Sequence, residues 1–471
     1  MNKKSPQRFL IIGYGTIGKA TLPVLIKEFK LSAEQIQIIS ADATHTELTQ
    51  KMGIHITQLA LDQTNYQEAI TPRLAAGDIL LNLAVNVSSL DLIRLCQSVG
   101  ALYIDTCIEP WEGHYTNETL SISERSNYAL REQAIALKAE YPNGTTAVLA
   151  HGANPGLVSH FIKQALLDLS QNSLPQDTGV STEVPATKQA WAELAQRLCI
   201  KSIHIAEFDW QKTKVKRQPG DFFSTWSAEG FISEGLQPAE LGWGSHEKQL
   251  PTDGKQHEYG CKSSIYINKP GFSTRIRTWT PMAGPFQAYL VTHNESISIA
   301  DYLTIKSNEQ VTYRPTVLYA YHPSSEAVLS VHEMEGRNFS MPTNKRVLVD
   351  EVEGIDELGV LLMGHNQVTY WYGSYLSTEE AKTIAPYNNA TSCQVVAGLI
   401  GAIHWAIDNP NAGIVEAEDL DFDYVLEKAK PYMGPVDGFY SKWTPIANRS
   451  QLFEEDVDSA CPWQFKNFRV A

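Results

Sequence analysis

A chain of 471 residues is longer than one ordinary compact core, so two or more domains are expected. Its 43% hydrophobic and 19% charged residues are those of a soluble globular protein, and no run is long and apolar enough to span a bilayer, so no membrane is expected as a partner. A formal net charge of −15 argues against nucleic acid, whose phosphates need a basic face, and suits positively charged ligands.

The opening "MNKKSPQRFLIIG" enters a strand pattern without a signal-peptide core or cleavage site, which points to a cytoplasmic protein. "RFLIIGYGTIG" is an apolar β run ending in Gly13-x-Gly15-x-x-Gly18, and "KATLPVLIKEF" after it reads as an amphipathic helix. Strand before and helix after is the setting of the dinucleotide fingerprint. One glycine makes the tight turn, one lets the pyrophosphate approach, and one lets the helix pack on the strand. The N–H groups at the helix start then hold the phosphates. Asp42 follows the second strand, "IQIIS", where a carboxylate accepts from an adenosine ribose. No Arg or Lys comes directly after it to hold a 2′-phosphate, so NAD is expected rather than NADP.

Alternation continues with "HITQLAL" as strand, "NYQEAITPRL" as helix, "DILLNLA" as strand, "SLDLIRLCQSVG" as helix and "ALYIDTC" as strand. A helix through "NYALREQAIALKAEY" and a strand, "TTAVLAHG", complete the pattern of an α/β, Rossmann-type doubly wound parallel sheet. Ligands sit beyond the carboxyl ends of such strands, where the turns "NLAVNV", "DTCIEPW" and "HGANPG" fall. Past "GLVSHFIKQALLDL" the rhythm changes. From about Ser181 to Tyr375 many short β-like runs, such as "KSIHIAEFDW", "SSIYIN", "TRIRTWTP", "FQAYLVTH", "RPTVLYAYHP", "RVLVDEV" and "QVTYWYGSYL", suggest a second, sheet-based α+β domain. "CQVVAGLIGAIHWAID" is apolar on most of its surface and should be a buried helix, opening a C-terminal segment that closes back on the first domain. The expected boundaries are 1–158 for the NAD-binding domain, 159–390 for the second and 391–471 for the C-terminal segment. The six cysteines form no C-x-x-C pair and no histidine cluster has ligand spacing, so reduced thiols and no metal are expected.

"TWSAEGFISEG" sets Trp226, Glu229 and Glu234 close together, with Glu207 upstream in "IAEFDW". Either Trp226 is core and the acids form a solvated rim, or the group is a pocket for a cation. Taken in order, "GYGTIG", "NLAVNV", "DTCIEPW", "HGANPG", "AEFDW", "TWSAEGFISEG" and "GIDELG" resemble the bacterial homospermidine synthase family, within the saccharopine-dehydrogenase-like and carboxynorspermidine-dehydrogenase-like group. The resemblance runs from about Arg8 into the C-terminal segment. It implies aminobutyl transfer: two putrescines give homospermidine and ammonia, or spermidine donates to putrescine with release of diaminopropane. NAD takes and returns a hydride around an imine, so it is absent from the net equation. The resemblance also implies a homodimer.

That chemistry asks for one amine to lose its proton near the nicotinamide while the other stays charged and distant. Trp226 is expected to present a cation-π face, worth about 0.5–2 kcal/mol. Glu207, Glu229 and Glu234 are expected as the acidic lining, where burial raises a carboxylate into the range useful for proton transfer. The resemblance further assigns Asn154, Glu109 and His293 to the site, the histidine as a relay in the neutral range. Asp356 is assigned with them, although "IDEL" reads locally as an exposed turn. At the cofactor it places Gly13, Gly15, Thr16, Ile17, Gly18, Asp42, Asp62, Asn82, Ala84, Val85, Asn86 and Thr106. Two other readings stand beside it. One is a net dehydrogenase of a carboxylated secondary amine, with Arg275 and Arg277 as a carboxylate clamp. The other is a non-enzymatic NAD-binding scaffold.

Overall fold

The structure, a computed structural model, describes residues 8–42, 46–173, 183–365 and 369–470; the expected start of the second region at Ser181 lies outside them. The first sheet has seven parallel strands in the order Ile56–Gln58, Ile36–Ser40, Phe9–Ile12, Ile79–Asn82, Leu102–Asp105, Ala147–Leu149 and Ile414–Glu416. Phe9 and Ile11 enter one core while Leu10 and Ile12 enter another. Both faces are covered, which is why the strand reads as an unbroken apolar run. From Phe9–Ile12 the chain builds first to one side and then to the other, so the turns after Phe9–Ile12 and Ile79–Asn82 splay apart at the switch point.

Helix ends obey local chemistry. Ser88 Oγ accepts from the Asp91 N–H at 3.3 Å to start Ser89–Val99, and Gly100, at φ 77°, closes it in the left-handed region.

The C-terminal segment divides between the sheets, against the expectation that all of it closes on the first: Val436–Ser441 pairs with Thr369–Ser377 in the second sheet, whereas its earlier part returns to the first. Its strand Ile414–Glu416, too short to signal itself in sequence, pairs with Ala147–Leu149. Contrary to the reading that no run is long and apolar enough to span a bilayer, helix Ala390–Asp408 has that length and composition, but it lies mostly inside the fold, against helix Thr16–Phe29. Beside it, Asn388 Nδ2 donates to the Ala20 carbonyl at 3.1 Å. A Cβ at Gly398 would lie 1.8 Å from the Gly152 oxygen, so the helix meets the turn after Ala147–Leu149 backbone to backbone.

The second sheet is mixed and ten-stranded. Its central strand, Ser202–Asp209, runs parallel to Thr316–His322 and antiparallel to Ile355–Met363. Here the reading of "IDEL" as an exposed turn fails: Asp356 and Glu357 are both 0% exposed within a strand. Local composition carries no information on cross-strand partners, and these decide the case. Asp356 faces Asp209 in register, while Glu357 accepts from Thr280 Oγ1 at 2.7 Å and the Met282 N–H at 2.8 Å. Buried Arg131 joins the two parts. It bonds Glu416 through Nε and Nη2 at 2.6 and 2.7 Å and Asp301 at 3.0 Å, fixing helix Asn294–Tyr302 against the first sheet.

Candidate active site

The carboxyl ends of the parallel strands open into a cleft of about 820 Å³. One wall carries Val85, Asn86, Cys107, Glu109 and Pro155 from the three turns noted in the sequence; the other carries Glu234 and His293 from the second domain. Glu109 Oε2 accepts from the Asn86 N–H at 3.1 Å and Oε1 from the Cys107 thiol at 3.1 Å. Burial pushes this carboxyl up to about 7, and nearby Glu234 adds to the rise. Burial raises Glu234 as well, against the pull of His293.

His293 departs from expectation. Its Nε2 lies 3.1 Å from Glu234 Oε2 and its Nδ1 3.1 Å from Glu295 Oε1. Burial favours the neutral ring, but the two carboxylates, Glu295 first, outweigh it and hold the imidazole well above its ordinary value. With both nitrogens facing acids, the charged imidazolium form of His293 is favoured, and Glu109 is the group pushed toward neutrality. Glu229 lines the same cleft, at its mouth. It sits on the rim, 62% exposed and 3.4 Å from Lys345 Nζ. Its helix, Ala228–Leu236, turns about 140° over the five residues to Glu234, so Glu229 stands at the solvent edge of the cleft and Glu234 deeper in it.

Behind the cleft lies a second acidic group on one face of the mixed sheet. Glu207 and Asp209 share that face by their spacing of two, and Asp356 joins them by register. Glu207 is 2% exposed, and its Oε2 accepts from Tyr319 at 2.7 Å and Asn154 Nδ2 at 3.2 Å. Burial pushes Glu207 up to about 8 and Asp209 up to about 6. Asp356 is held well above its ordinary value by burial and then by Glu207 and Asp209; Thr391 donates to its Oδ2, and its Oδ1 has no partner. Trp226 adjoins this group, half-buried, with its ring 5.8 Å from Phe231, whose own ring lies 5.4 Å from that of Tyr321, the register partner of Glu207. Thr225 beside it donates to Asp209 at 2.6 Å. The structure thus gathers Glu207, Asn154, Trp226 and Asp356 in one place and Glu109, Glu234 and His293 in the cleft in front. Asp209, Tyr319 and Glu295 were missed, although "EFD" and "YAY" carry the period-two signal for the first two.

The fingerprint glycines divide their work as a dinucleotide requires. Gly13 has φ 93° and a Cβ there would lie 2.8 Å from the Ala84 nitrogen; at Gly18 it would lie 2.5 Å from the Gly13 oxygen. At Gly15 it would meet nothing within 4 Å, leaving the approach to the N–H groups of Thr16 and Ile17 clear. Asn82 Nδ2 donates to the Val87 carbonyl at 3.1 Å and shapes the turn holding Ala84, Val85 and Asn86. Asp42 is exposed at the end of its strand; Asp62 accepts from the Thr64 and Asn65 N–H groups at 2.7 and 3.1 Å; Thr106 begins the turn that leads to Glu109. These residues fit NAD. Gly15→Val should therefore leave the melting temperature without nucleotide unchanged, yet weaken NAD binding by at least about tenfold, near 1.4 kcal/mol, in a fluorescence titration.

The carboxylate-clamp reading finds no support here. The Arg275 guanidinium lies 3.6 Å from the centre of the Tyr289 ring and pairs with Glu335, and Arg277 bonds the Arg469 carbonyl and Glu455. Neither lines the cleft.

Comparison with known proteins agrees with the geometry. Residues 9–148 match the saccharopine dehydrogenase NADP binding domain, and residues 152–438 its C-terminal domain. A homospermidine synthase from Blastochloris viridis is 49% identical, covering 98% of this chain and 97% of that protein. One from Mesorhizobium japonicum is 47% identical over 98% and 96%. The crystal structure of a homospermidine synthase from Legionella pneumophila in complex with NAD superposes with a TM-score of 0.91 at 44% identity, covering 99% of this chain and 98% of that one. With such identity sustained from end to end, the chain belongs to the homospermidine synthase family, built on the saccharopine dehydrogenase fold.

Proposed function

We propose that this chain joins two putrescines, or spermidine and putrescine, into homospermidine by NAD-dependent aminobutyl transfer, releasing ammonia or diaminopropane. The observation that carries this reading is the continuity of the cleft. Turns at the carboxyl ends of the parallel strands face Glu234 and His293, and Asn154, beside the cleft residue Pro155, bonds Glu207 in the acidic group behind.

A diamine needs opposite treatment at its two ends. The reacting nitrogen must lose its proton before hydride can leave the adjacent carbon, and Glu109, pushed up to about 7, can accept that proton at neutral pH. Glu234 offers a second acceptor on the opposite wall, and the His293 imidazolium offsets its charge so that this wall does not trap both ammonium groups. The distant ammonium finds Glu207, Asp209 and Asp356: burial holds Glu207 and Asp356 largely protonated, while Asp209, pushed up only to about 6, is mostly ionised at neutral pH. Arrival of a cation favours their ionised forms, so the site becomes more anionic when it is filled. The Trp226 ring beside them supplies a cation-π face of about 0.5–2 kcal/mol. Gly13, Gly15 and Gly18 with the N–H groups of Thr16 and Ile17 would hold NAD, which would supply a reversible acceptor for a hydride. Asn154 orients a nitrogen without fixing its charge, because an amide both donates and accepts.

Residues 1–158, 159–390 and 391–471 are the nucleotide, substrate and closing segments on this reading, and the enzyme works as a cytoplasmic homodimer. Incubation with putrescine and substoichiometric NAD⁺ tests the chemistry. Ammonia should appear over many turnovers with no accumulation of NADH; NADH formed mole for mole with product would make the protein an ordinary dehydrogenase.

A further inference from the structure

Tyr319 lies on Thr316–His322, next to Ser202–Asp209, and is 3% exposed. Its hydroxyl donates to Glu207 Oε2, the oxygen that also accepts from Asn154. Its ring meets the His293 imidazole at 4.3 Å between centroids and stacks on Tyr321 at 5.4 Å and 13°. One rigid side chain therefore touches both the deep carboxylate and the charged ring of the cleft wall.

We propose that Tyr319 is a positioning residue for Glu207, aiming the carboxyl through the phenol while its ring is braced by His293 and Tyr321. The proposal rests on the aminobutyl-transfer reading and adds a residue to it. Several groups face Glu207. Asp209 on its own strand and Asp356 on the next disfavour its ionised form, while the Tyr319 hydroxyl, His293 and the Asn154 amide favour it; the hydrogen bonds to its carboxyl come from Tyr319 and Asn154. After burial, which raises Glu207, the Tyr319 hydrogen bond is the largest influence and it acts in the opposite direction. Without that bond Oε2 keeps only the Asn154 amide, the carboxyl is free to turn, and its ionised form is disfavoured further.

Tyr319→Phe keeps the ring and removes the bond. In the pH profile of kcat with putrescine, the limb near pH 8 should move upward by about one unit, as expected for losing a hydrogen bond to a charged group. Tyr321→Phe should leave that limb in place. A limb unmoved in Tyr319→Phe, or moved equally in Tyr321→Phe, overturns the proposal. A second readout does not depend on turnover or on the folding of Tyr319→Phe. In protein labelled with 3-fluorotyrosine, one buried ¹⁹F resonance should follow a titration near pH 8 and become pH-invariant in Glu207→Gln. If no resonance behaves so, the coupling does not exist. Wild-type protein that ignores diamines yet shows this resonance would sink the functional reading and leave the Tyr319–Glu207 coupling standing.

Discussion

Glu207→Gln should lower kcat with putrescine by about 10²–10⁴-fold, the range typical for loss of a positioned acid or base, while stabilising the protein at alkaline pH. The two effects share one cause. Burial pushes Glu207 from its ordinary value of 4.5 up to about 8. Between those values the native protein holds a proton that the unfolded chain releases. Its contribution to stability is complete below the lower value, declines as the pH rises, and is gone above the upper one, where the fold carries a buried charge. Glutamine has nothing to ionise. The melting temperature of Glu207→Gln minus that of wild type should therefore climb from pH 5 to pH 8 and level beyond it, with Asp209 and Asp356 retaining part of the decline in both proteins. Glu229→Gln is the contrast: an exposed acid paired with Lys345 is worth at most about 1 kcal/mol, so neither kcat nor the melting curve should change much. Equal losses in the two variants would mean that general negative charge, rather than the buried face, does the chemistry.

The difference between these two glutamates shows what the sequence exposes and what it hides. Fold class and cofactor could be read because their signals are local: Gly13, Gly15 and Gly18 stand within six residues, and the strand–helix rhythm repeats through Leu149. Glu207 was legible from its motif; Asp209, two residues on and so on the same sheet face, carried the same signal and was missed. Asp356 was misread because its burial depends on antiparallel register with Asp209, a partner in another part of the chain. His293 was found, but its charge state was not, since that depends on Glu234, 59 positions away, as well as on Glu295. The resemblance supported Glu234 more than Glu229 in "AEGFISEG", but their different depths in the cleft came into view only with the helix that carries them. Strand Ile414–Glu416 is three residues long, and only its neighbour in the sheet makes it a strand.

Gly398→Ala should destabilise the fold by about 3 kcal/mol, at the upper end of ordinary overpacking, and lower kcat as well, although residue 398 lies in a helix that supplies none of the acids. In helix interiors alanine is normally the better residue by about 1 kcal/mol, so the predicted sign opposes propensity. The reason is the crossing with the His151–Gly156 turn. The new methyl would sit 1.8 Å from the Gly152 oxygen and 2.5 Å from its carbonyl carbon, and backbone atoms cannot rotate aside as a side chain can. Either helix Ala390–Asp408 withdraws from the turn, or the turn shifts and carries Asn154 with it. Asn154 holds Glu207 by a single 3.2 Å hydrogen bond, and a displacement of about 1 Å at a reacting centre can cost 10²-fold in rate. Gly336→Ala is the control: that glycine ends helix Ser325–Gly336 with nothing within 4 Å of the added carbon, so the substitution should be neutral or stabilise by up to about 1 kcal/mol. Urea denaturation and putrescine turnover on the two variants separate the cases. If Gly398→Ala matches Gly336→Ala in both, the helix and the turn do not meet at backbone contact, and the packing that seats Asn154 must be sought elsewhere.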